Sequence, residues 1–311
     1  MKRQGRIRIG VSGWTYAPWR GHFYPEGLAH KSELAFAADA FPSIEINGTF
    51  YRLQRPETFR HWAEETPEDF VFAVKGPRYI THMRRLREPE APLANFFASG
   101  VLELGAKLGP VLWQFPASFA FDAERLDAFF ALLPHDAEAA LALARKHDAR
   151  LSGIELPPHV EPHRIRHAIE IRHDSFRNAE FIALLRQRKV ALVCADTVEW
   201  PRLMDLTADF AYLRLHGSEE LYRSGYTDAA LDRWARLVRA FADGKKADDA
   251  EHAGPPDPHP APRDVYAYFD NTDKRHAPDD ARTLMRKLGL ATDGESQGLA
   301  AEAGHARRRP S

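Results

Sequence analysis

Eight short runs of apolar, β-branched and aromatic residues recur along the 311-residue chain, at 7–11, 43–47, 70–75, 110–115, 167–172, 190–195, 210–216 and 265–270. Between them, at 31–41, 57–65, 94–108, 122–132, 178–188, 227–243 and 278–288, apolar residues return with helical spacing. Such alternation marks βα units, in which a strand needs a long crossover to reach a parallel neighbour; a sandwich would show strands and short turns instead. Asp122 and Thr227 stand where two of the helices need side-chain caps. Eight such units in about 290 residues fit a closed TIM-type (β/α)8 barrel of α/β class. The rival, an open doubly wound sheet, normally carries a Gly-rich phosphate loop after its first strand. Here that loop reads Gly10-Val-Ser-Gly-Trp14, with neither GxGxxG nor GxxxxGK[ST]. The expectation is a single barrel domain over 1–290. A Pro-rich surface loop at 243–263 is too polar to pack, and a tail at 291–311 is disordered.

Charge limits the partners. The 43 Lys+Arg and 44 Asp+Glu leave a formal −1, which excludes a chain gathered by bulk charge onto nucleic acid or an anionic membrane. A small molecule is the expected ligand, with a non-catalytic module for a nucleotide or nucleic-acid end as an alternative. The single cysteine, Cys194, lies in the apolar run 190–195 and suits a reducing compartment. No signal-peptide-like run occurs, and no apolar stretch of about 18 residues, so a cytoplasmic protein without a membrane span is expected.

In a barrel, alternate side chains face the lumen and active sites gather at the C-terminal strand ends. With the apolar residues turned to the helices, the second strand sends Glu45 and Asn47 inward, the third Lys75 and the fourth Gln114. The fifth sends Glu170 and Arg172, the seventh Tyr212, Arg214 and His216, and the eighth Tyr266, Tyr268 and Asp270, while the sixth ends at Asp196. Charges buried at this density must pair with one another or hold a ligand. One reading is a salt-bridge network of Glu45 and Glu170 with Lys75, Arg172 and Arg214 that only satisfies itself; an Arg214→Ala variant that unfolds would mark it. The other is a polar pocket in which Lys75, Arg172 and Arg214 hold a phosphate or carboxylate.

In that pocket Glu170 and His216 exchange protons, Glu45 pairs with Glu170 as acid and base, and Glu45, Asn47 and Gln114 orient the substrate. Trp14, Asp270 and Asn271 complete the expected ligand-binding set. Such groups suit a hydrolase or isomerase with no cofactor. An alternative is a divalent-metal enzyme, akin to barrel sugar isomerases or phosphodiester endonucleases, with Glu45, Glu170, Asp196 and His216 as ligands. No HxH, HExxH or CxxC spacing supports it, and Lys75 and the arginines would repel a cation.

Other candidates are weaker. His159, His163 and His167 recur every four residues, but Pro157, Pro158 and Pro162 interrupt any helix, so they read as solvated loop residues. Ser12 lacks the GxSxG of a nucleophile elbow. Trp14, Tyr16, Trp19, Phe23 and Tyr24 crowd the first loop and read as packed aromatics, with a stacking wall for a sugar or base as the sharper alternative.

The motifs Gly10-Val-Ser-Gly-Trp-Thr-Tyr16, Glu45-Ile-Asn-Gly-Thr-Phe-Tyr51, Phe72-Ala-Val-Lys75 with Ile80-Thr-His82, and Leu108-Gly-Pro-Val-Leu-Trp-Gln-Phe-Pro116 follow one another in that order. They continue with Glu170-Ile-Arg-His173, Tyr212-Leu-Arg-Leu-His-Gly217, Val265-Tyr-Ala-Tyr-Phe-Asp-Asn271 and Ala277-Pro278. The sequence thereby resembles the YecE-like family, catalogued as domain of unknown function 72. The resemblance implies a TIM barrel and brings no established reaction. Gly48 stands where many of that family carry Ser, and Asp270 where many carry Asn.

Overall fold

Each of the eight apolar runs becomes a strand, and the strands pair in chain order into a closed parallel barrel. The computed structural model describes residues 5–197, 199–217, 225–246, 250–271 and 275–290. The strands are β1 (Ile7–Ser12), β2 (Ser43–Ile46), β3 (Val71–Lys75), β4 (Leu108–Gln114), β5 (His167–Glu170), β6 (Ala191–Asp196), β7 (Phe210–Leu215) and β8 (Asp264–Phe269). β8 pairs back onto β1, with Ile7 opposite Val265 and Val11 opposite Phe269, so no edge is left open. At Gly10 β1 passes close to β2: a Cβ there would lie 1.9 Å from the Ser43 carbonyl oxygen.

The helices are α1 (Glu33–Ala40), α2 (Gly48–Tyr51), α3 (Pro56–Glu64), α4 (Glu90–Ala98), α5 (Ala123–Ala131), α6 (Ala137–Ala144), α7 (Ala179–Arg188), α8 (Asp228–Ala242) and α9 (Ala277–Leu288). Asp122 accepts from the Arg125 amide at 3.0 Å and Thr227 from the Ala230 amide at 3.2 Å, so both expected caps form. The stretch 94–108, expected as one helix, is two. α4 ends before Gly100, whose φ of 110° lies in the left-handed region, and a 3-10 segment, Val101–Lys107, follows. Two short helices, α2 and α6, went unread in the sequence.

Strand parity divides the interior. Ile9, Val11, Ile44, Val74, Val111, Ile169 and Leu213 face outward into the helix layer, whereas the lumen is filled in levels. At the N-terminal end Arg166 donates to Asp264 at 2.8 Å. The middle is an apolar plug of Val71, Ala73, Leu112, Ala168, Ala191, Val193, Phe210, Tyr212, Tyr266 and Tyr268. The C-terminal level is charged.

One expectation fails, and a second needs a correction, since the described residues of 243–263 are mostly exposed yet part of the stretch packs. His167 is not solvated: it is fully buried at the start of β5, accepting from Trp113 Nε1 at 3.1 Å through Nδ1 and donating from Nε2 to the Pro134 carbonyl at 2.7 Å. Burial lowers its pKa to about 3, leaving the ring neutral. Nor does the Pro-rich loop avoid packing. Ala250 and Ala253 lie against the core, and Asp205 receives the amides of Ala253 and Gly254 at 2.8 and 3.0 Å. Its backbone polar groups find a buried carboxylate, which hydropathy alone does not register. The tail at 291–311 lies outside the described residues. Among the described residues no helix is long and apolar enough to cross a membrane.

Candidate functional site

Leu213 and Leu215 face the helices, so Arg214 between them must point into the lumen, where it is wholly buried. A guanidinium cannot shed its charge, and three strands answer it. Nε and Nη2 donate to the two Glu45 oxygens at 3.1 and 2.9 Å, Nη1 donates to Glu170 at 2.6 Å, and Nη2 also donates to Asp270 at 2.6 Å. Burial opposes the charge, yet Glu45, Glu170 and Asp270 outweigh it and hold the Arg214 pKa well above its ordinary value.

The same carboxylates are tied on their other sides. Glu45 accepts from the Tyr212 hydroxyl at 2.6 Å and from the Ser12 hydroxyl, and Ser12 accepts from Asn47 Nδ2 at 2.7 Å. Arg172 donates to Glu170 at 2.8 Å. His216 lies 3.9 Å from Glu170 and 3.4 Å from Asp270. Burial by itself would raise the Glu170 carboxyl, but Arg214, Arg172, His216 and Lys75 hold it well below the usual carboxylate range. At neutral pH Glu170 is therefore an anion and has no proton to give.

Over this network, at the C-terminal face, opens a cavity of 830 Å³ lined by Tyr16, Asn47, Phe50, Tyr51, Lys75, Arg78, His82, Met83, Gln114, Arg172 and Asp270. Lys75 ends β3, held by a 2.6 Å hydrogen bond from Thr49 Oγ1 to its carbonyl. Its ammonium sits 4.3 Å from the centre of the Phe50 ring, a cation–π placement, and among the described residues no carboxylate lies within ion-pairing distance of it. Burial and the repulsion of Arg214 exceed the attraction of Glu45, Glu170 and Asp270 and lower the Lys75 pKa to about 8.

His82 packs edge-on against the same Phe50 ring at 5.1 Å, and its Nδ1 shares a 2.9 Å hydrogen bond with the Thr81 hydroxyl. Burial, then Lys75 and Arg172, push its pKa down to about 4, so the imidazole is neutral at pH 7. Gln114 Oε1 and Asn47 Oδ1 are buried acceptors with no hydrogen-bond partner among the described residues. Polar atoms in that condition are rare in a folded protein, and here both belong to side chains that line the cavity. The Arg172 guanidinium carbon sits over Trp200, 4.1 Å from the ring centre.

The expected residues thus separate into two groups. Asn47, Lys75, Gln114, Arg172 and Asp270 line the cavity, while Glu45, Glu170, Arg214 and His216 form the buried network beneath it. Two further residues of the expected set belong to neither group. Trp14 packs edge-to-face on Trp62 of α3 at 5.3 Å, and Asn271 donates to Asp280 at 2.8 Å, tying the end of β8 to α9. The alternative metal set is not gathered. Asp196 is outward by strand parity and is held by Arg202 at 3.0 Å and the Tyr226 hydroxyl at 2.9 Å. Among the described residues no group of three or more His, Cys, Asp or Glu side chains is placed to hold a metal ion.

Five lining residues were not read as site residues: Phe50, Tyr51, Arg78, His82 and Met83. All lie after β2 and β3, where alternation in and out of the lumen no longer applies. For Phe50, Tyr51 and His82 the only signal was their place in the motifs ending at Tyr51 and His82, and for Arg78 and Met83 there was none. Of the aromatic loop after β1, Tyr16 alone reaches the cavity, while Trp19, Phe23 and Tyr24 pack together with ring centres 4.8 to 5.8 Å apart.

Comparison with known proteins agrees with this architecture. The structure superposes on a DUF72 family protein of Thermotoga maritima MSB8 with a TM-score of 0.67 at 23% identity, over 91% of this chain and 99% of that one. A DUF72 family protein of Enterococcus faecalis V583 gives 0.63 at 17% identity, over 94% and 100%. In sequence the chain is 31% identical over 118 residues to UPF0759 protein YunF of Bacillus subtilis (strain 168), a stretch of 36% of this chain and 41% of YunF. It is 32% identical over 113 residues to UPF0759 protein YecE of Escherichia coli (strain K12), 36% of this chain and 39% of YecE. The match therefore spans about two fifths of each of these relatives. The family model described as protein of unknown function DUF72 matches residues 8–303, and the chain belongs to that family.

Proposed function

We propose that the cavity at the C-terminal face binds a small molecule bearing a phosphate or carboxylate group, and that the protein acts on it as an enzyme of the hydrolase or isomerase type. The observation that carries this reading is the buried Lys75 ammonium, which has no carboxylate at ion-pairing distance among the described residues. Its charged neighbours in the lining are Arg78, Arg172 and Asp270, and Asp270 is already bound by Arg214. An anion entering the cavity supplies the counter-charge that the chain withholds. Arg172 and Arg78 orient it at the mouth, and the open acceptors of Gln114 and Asn47 receive hydroxyl or amide donors from the rest of the molecule. His82, neutral at pH 7, is the group able to take up a proton.

Isothermal titration of the full chain with inorganic phosphate and with malonate, at pH 7 and low ionic strength, separates the two anion types. Binding of at least one is expected, weakened about tenfold or more by Lys75→Met, the scale of a lost charge-assisted hydrogen bond. Absence of binding to both, or identical affinity in Lys75→Met, would overturn the reading.

A further inference from the structure

Lys75 differs from the other basic groups of the cavity in what it can do. A guanidinium such as that of Arg78 or Arg172 serves only as a charge and hydrogen-bond donor. An amine that sheds its proton becomes a nucleophile, and two geometric features favour that here. Among the described residues no carboxylate at ion-pairing distance locks Nζ as an ammonium, and the Phe50 ring on which it rests leaves it facing an 830 Å³ cavity. The lowered pKa of Lys75 agrees with this placement. His82, a neutral proton carrier, abuts the same Phe50 ring, and the unpartnered carbonyl oxygen of Gln114 belongs to the same lining.

We infer that Lys75 is an imine-forming residue, and that the ligand is an aldehyde or ketone carrying an anionic group which Arg172 and Arg78 hold at the mouth. This inference rests on the anion-binding reading and adds the chemical class of the substrate and a covalent step. The neutral amine attacks the carbonyl carbon, forming a C–N bond as the C–O π pair moves to oxygen. A proton passes from nitrogen to that oxygen, giving a carbinolamine. Protonation of the hydroxyl releases water and leaves a protonated imine, so that ammonium plus carbonyl yields iminium plus one water with no change of oxidation state. His82 ferries the proton between nitrogen and oxygen. The iminium then acts as an electron sink for proton removal or bond cleavage at the adjacent carbon, which fits an isomerase or lyase better than a hydrolase.

The test traps the imine. The full chain is incubated with glycolaldehyde phosphate, glyoxylate or uncharged glycolaldehyde in the presence of sodium cyanoborohydride, and the modified lysines are located by peptide mass spectrometry. Preferential reduction onto Lys75 by glycolaldehyde phosphate or glyoxylate is expected, at least tenfold above the mean of the other lysines. The better of these two probes identifies the anionic group. Excess inorganic phosphate or malonate should suppress labelling at Lys75 and leave the surface lysines unchanged. In Lys75→Arg the adduct at that peptide should disappear while labelling of the surface lysines is unchanged. Labelling of Lys75 no faster than surface lysines, in a protein that binds phosphate or malonate, overturns the imine and leaves the anion site standing. Failure to bind either anion overturns both.

Discussion

Two cations are buried within one barrel end, and the chain treats them in opposite ways. Arg214 is ringed by Glu45, Glu170 and Asp270, with all three of its nitrogens donating, and it has no surface exposed. Lys75 is buried nearly as deeply, yet rests on an aromatic face and looks into open space. A folding chain saturates the charges it uses to hold itself together, because an unpaired buried charge costs several kcal/mol. Leaving one unsaturated is an expense that folding by itself does not explain. The contrast assigns the Arg214 network to architecture and is the ground on which the Lys75 cavity is proposed as a ligand site.

The sharpest way to break this contrast is to remove each cation in turn. Arg214→Met strands three carboxylates in the lumen and should cost about 3–5 kcal/mol or more of stability, read by urea denaturation. Loss of less than about 1 kcal/mol would mean that water replaces the guanidinium and that the network is not structural. Lys75→Met should do the reverse: stability is unchanged or raised at pH 7, and affinity for phosphate or malonate falls.

pH sharpens the same pair. The folded Lys75 titrates near 8 and the unfolded one near 10.5, so between those values the unfolded chain binds more protons and stability rises with pH. The burial penalty is present in full below pH 8 and relieved above it. Any stability advantage of Lys75→Met over wild type should therefore narrow as the pH climbs from about 8 to 10.5, as denaturation series at fixed ionic strength would record. Wild-type anion affinity should decline over the onset of the same window, as the ammonium is lost. An affinity flat from pH 7 to pH 9.5 would mean that the Lys75 ammonium adds nothing to binding beyond what Arg172 and Arg78 supply. The smallest effect belongs to the rim: Tyr51 is 68% exposed, and Tyr51→Ala should weaken binding within about fivefold, the scale of one aromatic contact.

The architecture was legible because barrel physics repeats. Eight runs of the right length, alternating inward and outward, were enough to place Glu45, Lys75, Gln114, Glu170, Arg172 and Arg214 at one end. Periodicity could not tell which of them would pair with which. Arg214 and Lys75 have the same inward parity, and their different fates depend on the relative height of strand ends and on Phe50 in α2, four residues long and without a periodic signal. Nor could it follow the chain beyond the strand ends. Trp14, just past β1, turns to α3, whereas Arg78 and His82, beyond β3, turn into the cavity. Asp196 follows a run, 190–195, that is apolar throughout and so carries no parity signal, and only the folded structure shows it turned outward to Arg202.

The most direct measurement is the titration of Lys75 itself. Competitive acetylation of the full chain by acetic anhydride over a pH series, with each lysine quantified by peptide mass spectrometry, gives the midpoint of every ε-amine. A midpoint for Lys75 near 8, moved upward by saturating phosphate or malonate, is the expected result. A midpoint at the ordinary lysine value of about 10.5 that neither anion moves would contradict the assignment of the cavity to an anionic ligand.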